Sequence, residues 1–161
     1  MSEFLELKSA SVASSKASWL LRLHLRNCGR EGLWLIDRLF RVEKTGLYRI
    51  DPWRAYVHGL EGKSLLASKM LVAVPPGVHV EFPEIPCVTW LPAGEALTET
   101  LAIPIPLAES LPYATTPPRA LGIAHSVRVK LGYLPGPESL DLHRGADIAG
   151  LPFAYPDYSS A

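Results

Sequence analysis

Two ten-residue segments of this chain alternate apolar and polar side chains almost without error, with a period of two. Residues 18–27 read SWLLRLHLRN and residues 124–133 read AHSVRVKLGY. Successive side chains of an extended chain point to opposite faces, so each segment has one apolar and one polar face. This pattern is typical of half-buried strands in an antiparallel sheet. We therefore expect a core that contains Trp19, Leu21, Leu23, Leu25, Val127, Val129 and Leu131.

Glycine and proline divide most of the remaining chain into short extended segments. Residues 3–7 predict a first strand, with a loop or a bulged continuation after it. Residues 56–60 and 64–72 predict a hairpin around Glu61-Gly62, although Leu66 and Met70 also have helical spacing. A further strand is predicted at 78–82, between proline-rich turns.

Roughly nine or ten such strands with no convincing helix predict an all-β fold. We expect an antiparallel two-sheet sandwich of the immunoglobulin-like or fibronectin-like kind, because two packed layers suit strands that have one apolar face. Residues 1–135 form this domain in our interpretation. Residues 136–161 show no sustained period and are expected to form an irregular, proline-rich tail that packs on the domain or extends from it.

Composition favours a globular protein and argues against two classes of partner. Hydrophobic residues make up 48% and charged residues 20% of the 161 residues, and the formal net charge is zero. A balanced charge argues against nucleic acid, and no apolar run has the ~20 residues of a membrane helix. The first residues contain Glu3 and Glu6 where a signal peptide would be basic, so we expect a cytoplasmic protein in which Cys28 and Cys87 are free thiols.

The sequence offers no catalytic, cofactor or metal signature. It contains no nucleophile elbow, no phosphate-binding glycine loop and no zinc-ligand pair of the usual spacing. The pair His79 and Glu81, and the group Asp141, His143 and Asp147, each fall short of three dependable metal ligands. We therefore predict no catalytic residue, no cofactor and no metal ion.

Basic side chains on the two patterned strands suggest an anion-binding stripe. Three lie on the polar face of the first strand and two on that of the second: Arg22, His24, Arg26, Arg128 and Lys130. If the two strands are neighbours in a sheet, these side chains form one basic row that could hold a phosphate, a carboxylate or an acidic peptide. The alternative is that they are ordinary solvent-facing side chains.

Aromatic residues and arginines are concentrated between Leu33 and Leu60, which suggests a protein interface. Protein interfaces are enriched in both residue types, although arginine stems laid over core aromatics give the same composition. The residues concerned are Trp34, Tyr48, Trp53, Arg54 and Tyr56. We expect the strand at 56–60 to have an unprotected edge, and we predict a homodimer or another protein partner at this half of the chain.

Three classes of function are compatible with these observations. The first is a non-enzymatic module that acts through protein contact, as an accessory or assembly subunit. The second is a small-ligand or carbohydrate-binding module with exposed aromatic platforms, and the third is an enzyme with dispersed catalytic residues. The positions of Trp19, Trp34, Trp53 and Trp90 discriminate among them, because an exposed planar row of aromatics would favour the second.

Overall fold

The structure is a computed structural model that describes residues 4–81, 83–138, 142–146 and 152–156. The described residues are all-β, with one short 3-10 turn at Glu61–Lys63. The strands are β1 (Leu5–Ser14), β2 (Ser18–Asn27), β3 (Leu33–Val42), β4 (Tyr48–Asp51), β5 (Tyr56–Leu60), β6 (Ser64–Lys69), β7 (Cys87–Leu91), β8 (Ala96–Pro104), β9 (Ser126–Leu131), β10 (Tyr133–Pro135), β11 (Leu142–Ala146) and β12 (Pro152–Pro156).

The first sheet has the order β1-β2-β8 and is antiparallel throughout. Strand β1 is the bulged continuation that the sequence allowed, since its register against β2 shifts between Leu7 and Ser9. An extra residue in a strand reverses the alternation beyond it. The bulge therefore places Leu7 and Val12 on the same face of the sheet, opposite Leu25 and Leu21 respectively.

The second sheet has the order β5-β6-β9 and departs from the antiparallel expectation at one pairing. Strands β5 and β6 form the predicted hairpin, with Gly62 at a positive φ of 69° in its turn. Strands β6 and β9 are parallel, from Ser64 opposite Ser126 to Lys69 opposite Leu131. A parallel pair requires a long crossover connection, and here the connection includes β7 and β8.

A third sheet has the order β10-β3-β4, with β7 also paired to β3. Strands β9 and β10 are separated by Gly132, which donates to the last carbonyl of β6 and accepts from an amide of β3. A Cβ atom at Gly132 would lie 2.9 Å from Ile36 and 3.2 Å from Met70. The absence of a side chain at this position lets the second and third sheets meet around one continuous segment.

The main core lies between the first sheet and the second sheet. Apolar residues of β2 and β8 pack there against those of β5 and β6, and the predicted core residues Leu21, Leu23 and Leu25 are buried. Trp19, Val127, Val129 and Leu131 are partly buried at its margin. A smaller cluster on the third sheet contains Trp34, Ile36 and Val88.

Two of our expectations are wrong in the second half of the chain. Residues 78–81 are not a strand, because prolines on both sides of the segment cannot donate ladder hydrogen bonds; Phe82 lies outside the described residues. The region after residue 135 is not wholly irregular, since β11 and β12 form an antiparallel pair and Leu142 packs against the smaller core cluster.

Candidate functional site

The inner face of strand β1 extends beyond the sheet that it packs against. Leu7 and Val12 belong to the apolar face of the first sheet, yet their exposed fractions are 52% and 66%. Strand β1 is an edge strand, and the facing sheet ends at β9. Among the described residues, no layer covers the outer part of the apolar face of β1, and a cleft opens between the two sheets.

The cleft has a volume of about 710 Å³ and apolar walls from both sheets. Side chains of β1 and β2 form one wall, and side chains of β9 and the residues just before it form the other. The lining residues are Leu5, Leu7, Ala10, Val12, Trp19, Leu21, Leu23, Leu25, Ala124, His125, Ser126, Val127, Val129, Lys130 and Leu131. Binding sites for small molecules have this size and are lined mainly by apolar side chains.

Strand β9 turns an unpaired main-chain edge towards the open side of the cleft. The N–H of Gly132 donates to the carbonyl oxygen of Lys69 on β6 at 2.7 Å, and the C=O of Gly132 accepts from the N–H of Ile36 on β3 at 2.9 Å. Both main-chain groups of Gly132 therefore point towards β6 and β3. Main-chain groups of successive strand residues point to opposite edges. Those of Val127, Val129 and Leu131 therefore face the other edge, along which the described residues include no partner strand.

The polar groups that line the cleft are basic or neutral. His125 and the hydroxyl-bearing Ser126 are exposed at its wall, and Lys130, on the outer face of β9, borders the cleft at its margin. No acidic side chain is among the described residues that line it. The cleft therefore combines an apolar interior with a positively charged margin.

The predicted anion-binding stripe does not form as one row. Strand β2 pairs with β1 and β8, and β9 pairs with β6, so the two basic strands are not neighbours. Their apolar faces meet across the core, so their polar faces point away from each other. Arg22, His24 and Arg26 lie on the outer face of the first sheet, and Arg128 and Lys130 lie on the outer face of the second. Anion binding by either half stays a prediction.

The predicted partner interface is divided between the interior and the surface. Trp34 is 5% exposed, and the centre of its ring lies 5.0 Å from that of Trp90. Its Nε1–H donates to the carbonyl oxygen of Pro137 at 3.1 Å. Tyr56 is also buried, with its hydroxyl 2.7 Å from Glu84 Oε2. Both side chains serve the interior, which removes them from any interface in the folded chain.

Trp53, Tyr48 and Arg54 are the surface members of that predicted interface. Trp53 and Tyr48 are half exposed, and Arg54 lies 5.6 Å from the centre of the Tyr56 ring. The edge of β5 is not open as we expected, because Val57 exchanges two hydrogen bonds of 2.9 Å with Ser110. In the part of the chain that the structure describes, an open strand edge borders the cleft at β9 instead.

The four tryptophans do not form an exposed row. Trp34 is buried, Trp90 packs against it and Trp19 is partly buried at the cleft wall, which leaves Trp53 as the half-exposed one. A flat platform for stacking a sugar ring requires neighbouring exposed aromatics. This arrangement therefore gives no support to the carbohydrate-binding hypothesis.

A buried ionic cluster lies away from the cleft and was not predicted from the sequence. Lys69 at the end of β6 is fully buried, and its Nζ contacts the carboxylate of Glu99 on β8. The same Nζ donates to the main-chain oxygens of Asp37 at 2.8 Å, Pro52 at 2.6 Å and Thr100 at 3.0 Å. Three carbonyl oxygens and one carboxylate thus surround a single ammonium group.

Asp37 completes this cluster from a bulge in β3. The register of β3 against β7 shifts between Ile36 and Arg38, so Asp37 is the extra residue of the bulge. Its Oδ2 accepts from Thr89 Oγ1 at 2.5 Å, and its buried Oδ1 has no hydrogen-bond partner among the described residues. Burial raises the pKa of Asp37, and burial raises the pKa of Glu99 to about 7 against the opposing charge of Lys69.

Sequence reasoning missed the cleft and the ionic cluster for different reasons. The apolar residues of β1 are a sequence signal, but the bulge interrupts their period of two and hides that they share one face. Lys69 and Glu99 have no such signal, because a lysine and a glutamate in alternating strands look like solvent-facing residues. Only the packing of three sheets brings them together.

Neither a membrane-spanning helix nor a metal-binding cluster is present among the described residues. Within the described ranges, no helix has the length and apolarity needed to cross a membrane. No group of three histidine, cysteine, aspartate or glutamate residues lies close enough together to hold a metal ion in the same part of the chain. Comparison with protein-family models, with curated proteins and with solved structures finds no match to this chain.

Proposed function

We propose that this chain is a non-enzymatic, cytoplasmic β-sandwich module of the immunoglobulin-like kind that binds an extended segment of a partner protein. The segment adds as a strand to the free edge of β9, and its alternate apolar side chains enter the cleft against β1 and β2. The observation that carries the proposal is the coincidence of an unpaired strand edge with an uncovered apolar sheet face.

The period of two on the β9 wall favours an extended peptide over a compact ligand. Val127, Val129 and Leu131 project into the cleft at every second position of β9, and Leu7 and Val12 line the other wall from β1. A strand that pairs with β9 presents side chains at the same spacing. Its main chain forms hydrogen bonds with the unpaired edge of β9, and its apolar side chains cover β1. A small molecule would not do both.

The buried ionic cluster supports a structural role rather than catalysis. Lys69 has no exposed surface, and its Nζ is surrounded by four acceptor groups of the protein itself. A substrate could not reach this amine without disassembly of the core. The buried cluster of Lys69, Glu99 and Asp37 therefore does not form an accessible site.

Strand binding is tested with a fluorescent capped peptide, T-V-T-V-T-V-T, N-methylated on the inner threonines to prevent self-association. Val12→Asp places a charge in the cleft, whereas Ala13→Asp places one on the opposite face of the same exposed strand. We expect the wild-type protein and Ala13→Asp to bind the peptide and Val12→Asp to lose binding in fluorescence anisotropy. Circular dichroism melts of both variants report whether folding is retained.

Two outcomes would overturn the proposal. In the first, the peptide does not bind and light scattering reports a dimer that Val12→Asp dissociates, which assigns the cleft to a second copy of the chain. In the second, the peptide does not bind and dodecanoate does, with the same sensitivity to Val12→Asp. That result assigns the cleft to an apolar small molecule.

A further inference from the structure

The pleat of β9 determines which side chains of an added strand would enter the cleft. In an antiparallel pair, residues directly opposite each other project from the same face of the sheet. A partner residue opposite Val127, Val129 or Leu131 therefore points into the apolar cleft. The partner residues between them point outwards, beside Arg128 and Lys130.

The outer face of β9 carries two cations that no side chain in the described part of the chain neutralises. Arg128 and Lys130 are exposed, and neither forms an ion pair with the described residues. They lie two positions apart on one face, which is the spacing of alternate residues on a facing strand. Opposite charges at directly facing positions stabilise a strand pair, and like charges destabilise it.

We infer that the partner segment alternates apolar and acidic residues, in the order apolar, acidic, apolar, acidic, apolar, and pairs antiparallel with β9. This inference rests on the proposed strand binding and specifies its ligand. The apolar residues lie opposite Leu131, Val129 and Val127 and fill the cleft. The acidic residues lie opposite Lys130 and Arg128, outside the cleft, where the carboxylates stay in contact with water.

The antiparallel direction is favoured by the main chain, since parallel pairing is slightly less stable per residue. The edge groups of β9 belong to Val127, Val129 and Leu131, so an antiparallel partner exchanges both hydrogen bonds with each of these residues. The N–H groups of the apolar partner residues then face β9, and those of the acidic residues face away. N-methylation of the acidic positions should therefore leave binding intact, whereas N-methylation of the apolar positions should abolish it.

A charge exchange tests the predicted partner sequence. The peptide T-V-E-V-E-V-T and its counterpart T-V-K-V-K-V-T are compared on the wild-type protein and on the double variant R128E/K130E. We expect the wild type to prefer the glutamate peptide by about 2- to 30-fold, which corresponds to two favourable cross-strand charge pairs. The double variant should prefer the lysine peptide, and R22E, with its charge on the outer face of the first sheet, should behave as the wild type does.

The possible failures separate the two proposals. If both peptides bind equally and Val12→Asp abolishes both, strand binding holds and the acidic preference is overturned. If the preference is present but N-methylated apolar positions bind normally, the peptide is held by charge alone and the antiparallel pairing is overturned. If neither peptide binds the wild-type protein, the proposed function itself fails.

Discussion

Lys69 and Glu99 form an ion pair inside this protein and join strand β6 of one sheet to strand β8 of the facing sheet. Moving two charges out of water is costly, and their attraction compensates only when the remaining polar groups are also satisfied. Here the two remaining N–H groups of the ammonium are shared among the carbonyl oxygens of Asp37, Pro52 and Thr100. The pair therefore links the two layers at a point where apolar side chains would otherwise be expected.

Lys69→Met should destabilise the protein by about 3–5 kcal/mol, because it leaves a buried carboxylate and several carbonyl oxygens without a donor. The measurement is the free energy of unfolding in urea at neutral pH. The double variant Lys69→Met with Glu99→Leu should recover part of the loss, since it also removes the isolated charge. A loss under 1 kcal/mol in the single variant would show that the pair does not hold the sheets together.

The stability of the protein should fall as the pH rises from about 4.5 to 7. Burial raises the pKa of Glu99 from its ordinary value of 4.5 to about 7, so the folded chain holds this proton more tightly than the unfolded chain does. The group therefore stabilises the fold most below pH 4.5, and up to about 3 kcal/mol is lost across the interval. The raised pKa of Asp37 acts in the same direction.

Urea unfolding at a series of pH values measures this effect, and Glu99→Gln is the control. The variant cannot ionise at this position and should show a flatter dependence between pH 4.5 and 7. Glu6 and Glu109 have lowered pKa values, and their opposite contributions belong to lower pH. A wild-type stability that rises across the interval would contradict the prediction.

Leu23→Ala should destabilise the protein by about 2–5 kcal/mol through lost burial and the cavity that remains. Leu23 is buried between the two sheets, whereas the next residue, His24, is exposed on the outer face. His24→Ala is therefore the matched control and should change the free energy of unfolding by less than about 0.5 kcal/mol. Equal effects of the two substitutions in denaturant melts would contradict the assignment of faces.

Cys28 should react with a thiol reagent in the native protein, and Cys87 should react only after denaturation. Both cysteines are free, Cys28 is exposed and Cys87 is buried. Burial raises the pKa of the Cys87 thiol to about 12, and the hydrogen bond to Glu6 raises the pKa of the Cys28 thiol. Titration without reductant should detect one slowly reacting thiol in the native protein and two thiols after denaturation. The variant Cys28→Ser should have no reactive thiol in its native state.

The period of two predicted the elements whose two faces differ strongly in polarity. Leu21, Leu23 and Leu25 are buried because their alternation with charged residues allows only one orientation of β2. The hairpin at β5 and β6 was equally predictable, since Gly62 supplies the positive φ that its turn requires. These features depend on residues that are close together in the chain, so they can be predicted without knowledge of the fold.

The order of the strands could not be predicted from the same patterns. An alternating strand specifies which face is apolar but not which strand lies beside it, so the basic residues of β2 and β9 were equally compatible with one row or with two opposite surfaces. The structure places them on opposite surfaces, because β2 pairs with β1 and β8 and β9 pairs with β6. The proposed partner sequence depends on that outcome.

Strands with one apolar and one polar face follow from the amino-acid sequence alone, because side-chain alternation is a local property of an extended backbone. The apolar cleft beside β1 and the contact of Lys69 with Glu99 in the core follow instead from the way the sheets pack on one another. Both depend on how far one sheet lies over another. That offset is set by the packing of residues distant in the chain, and no local pattern encodes it.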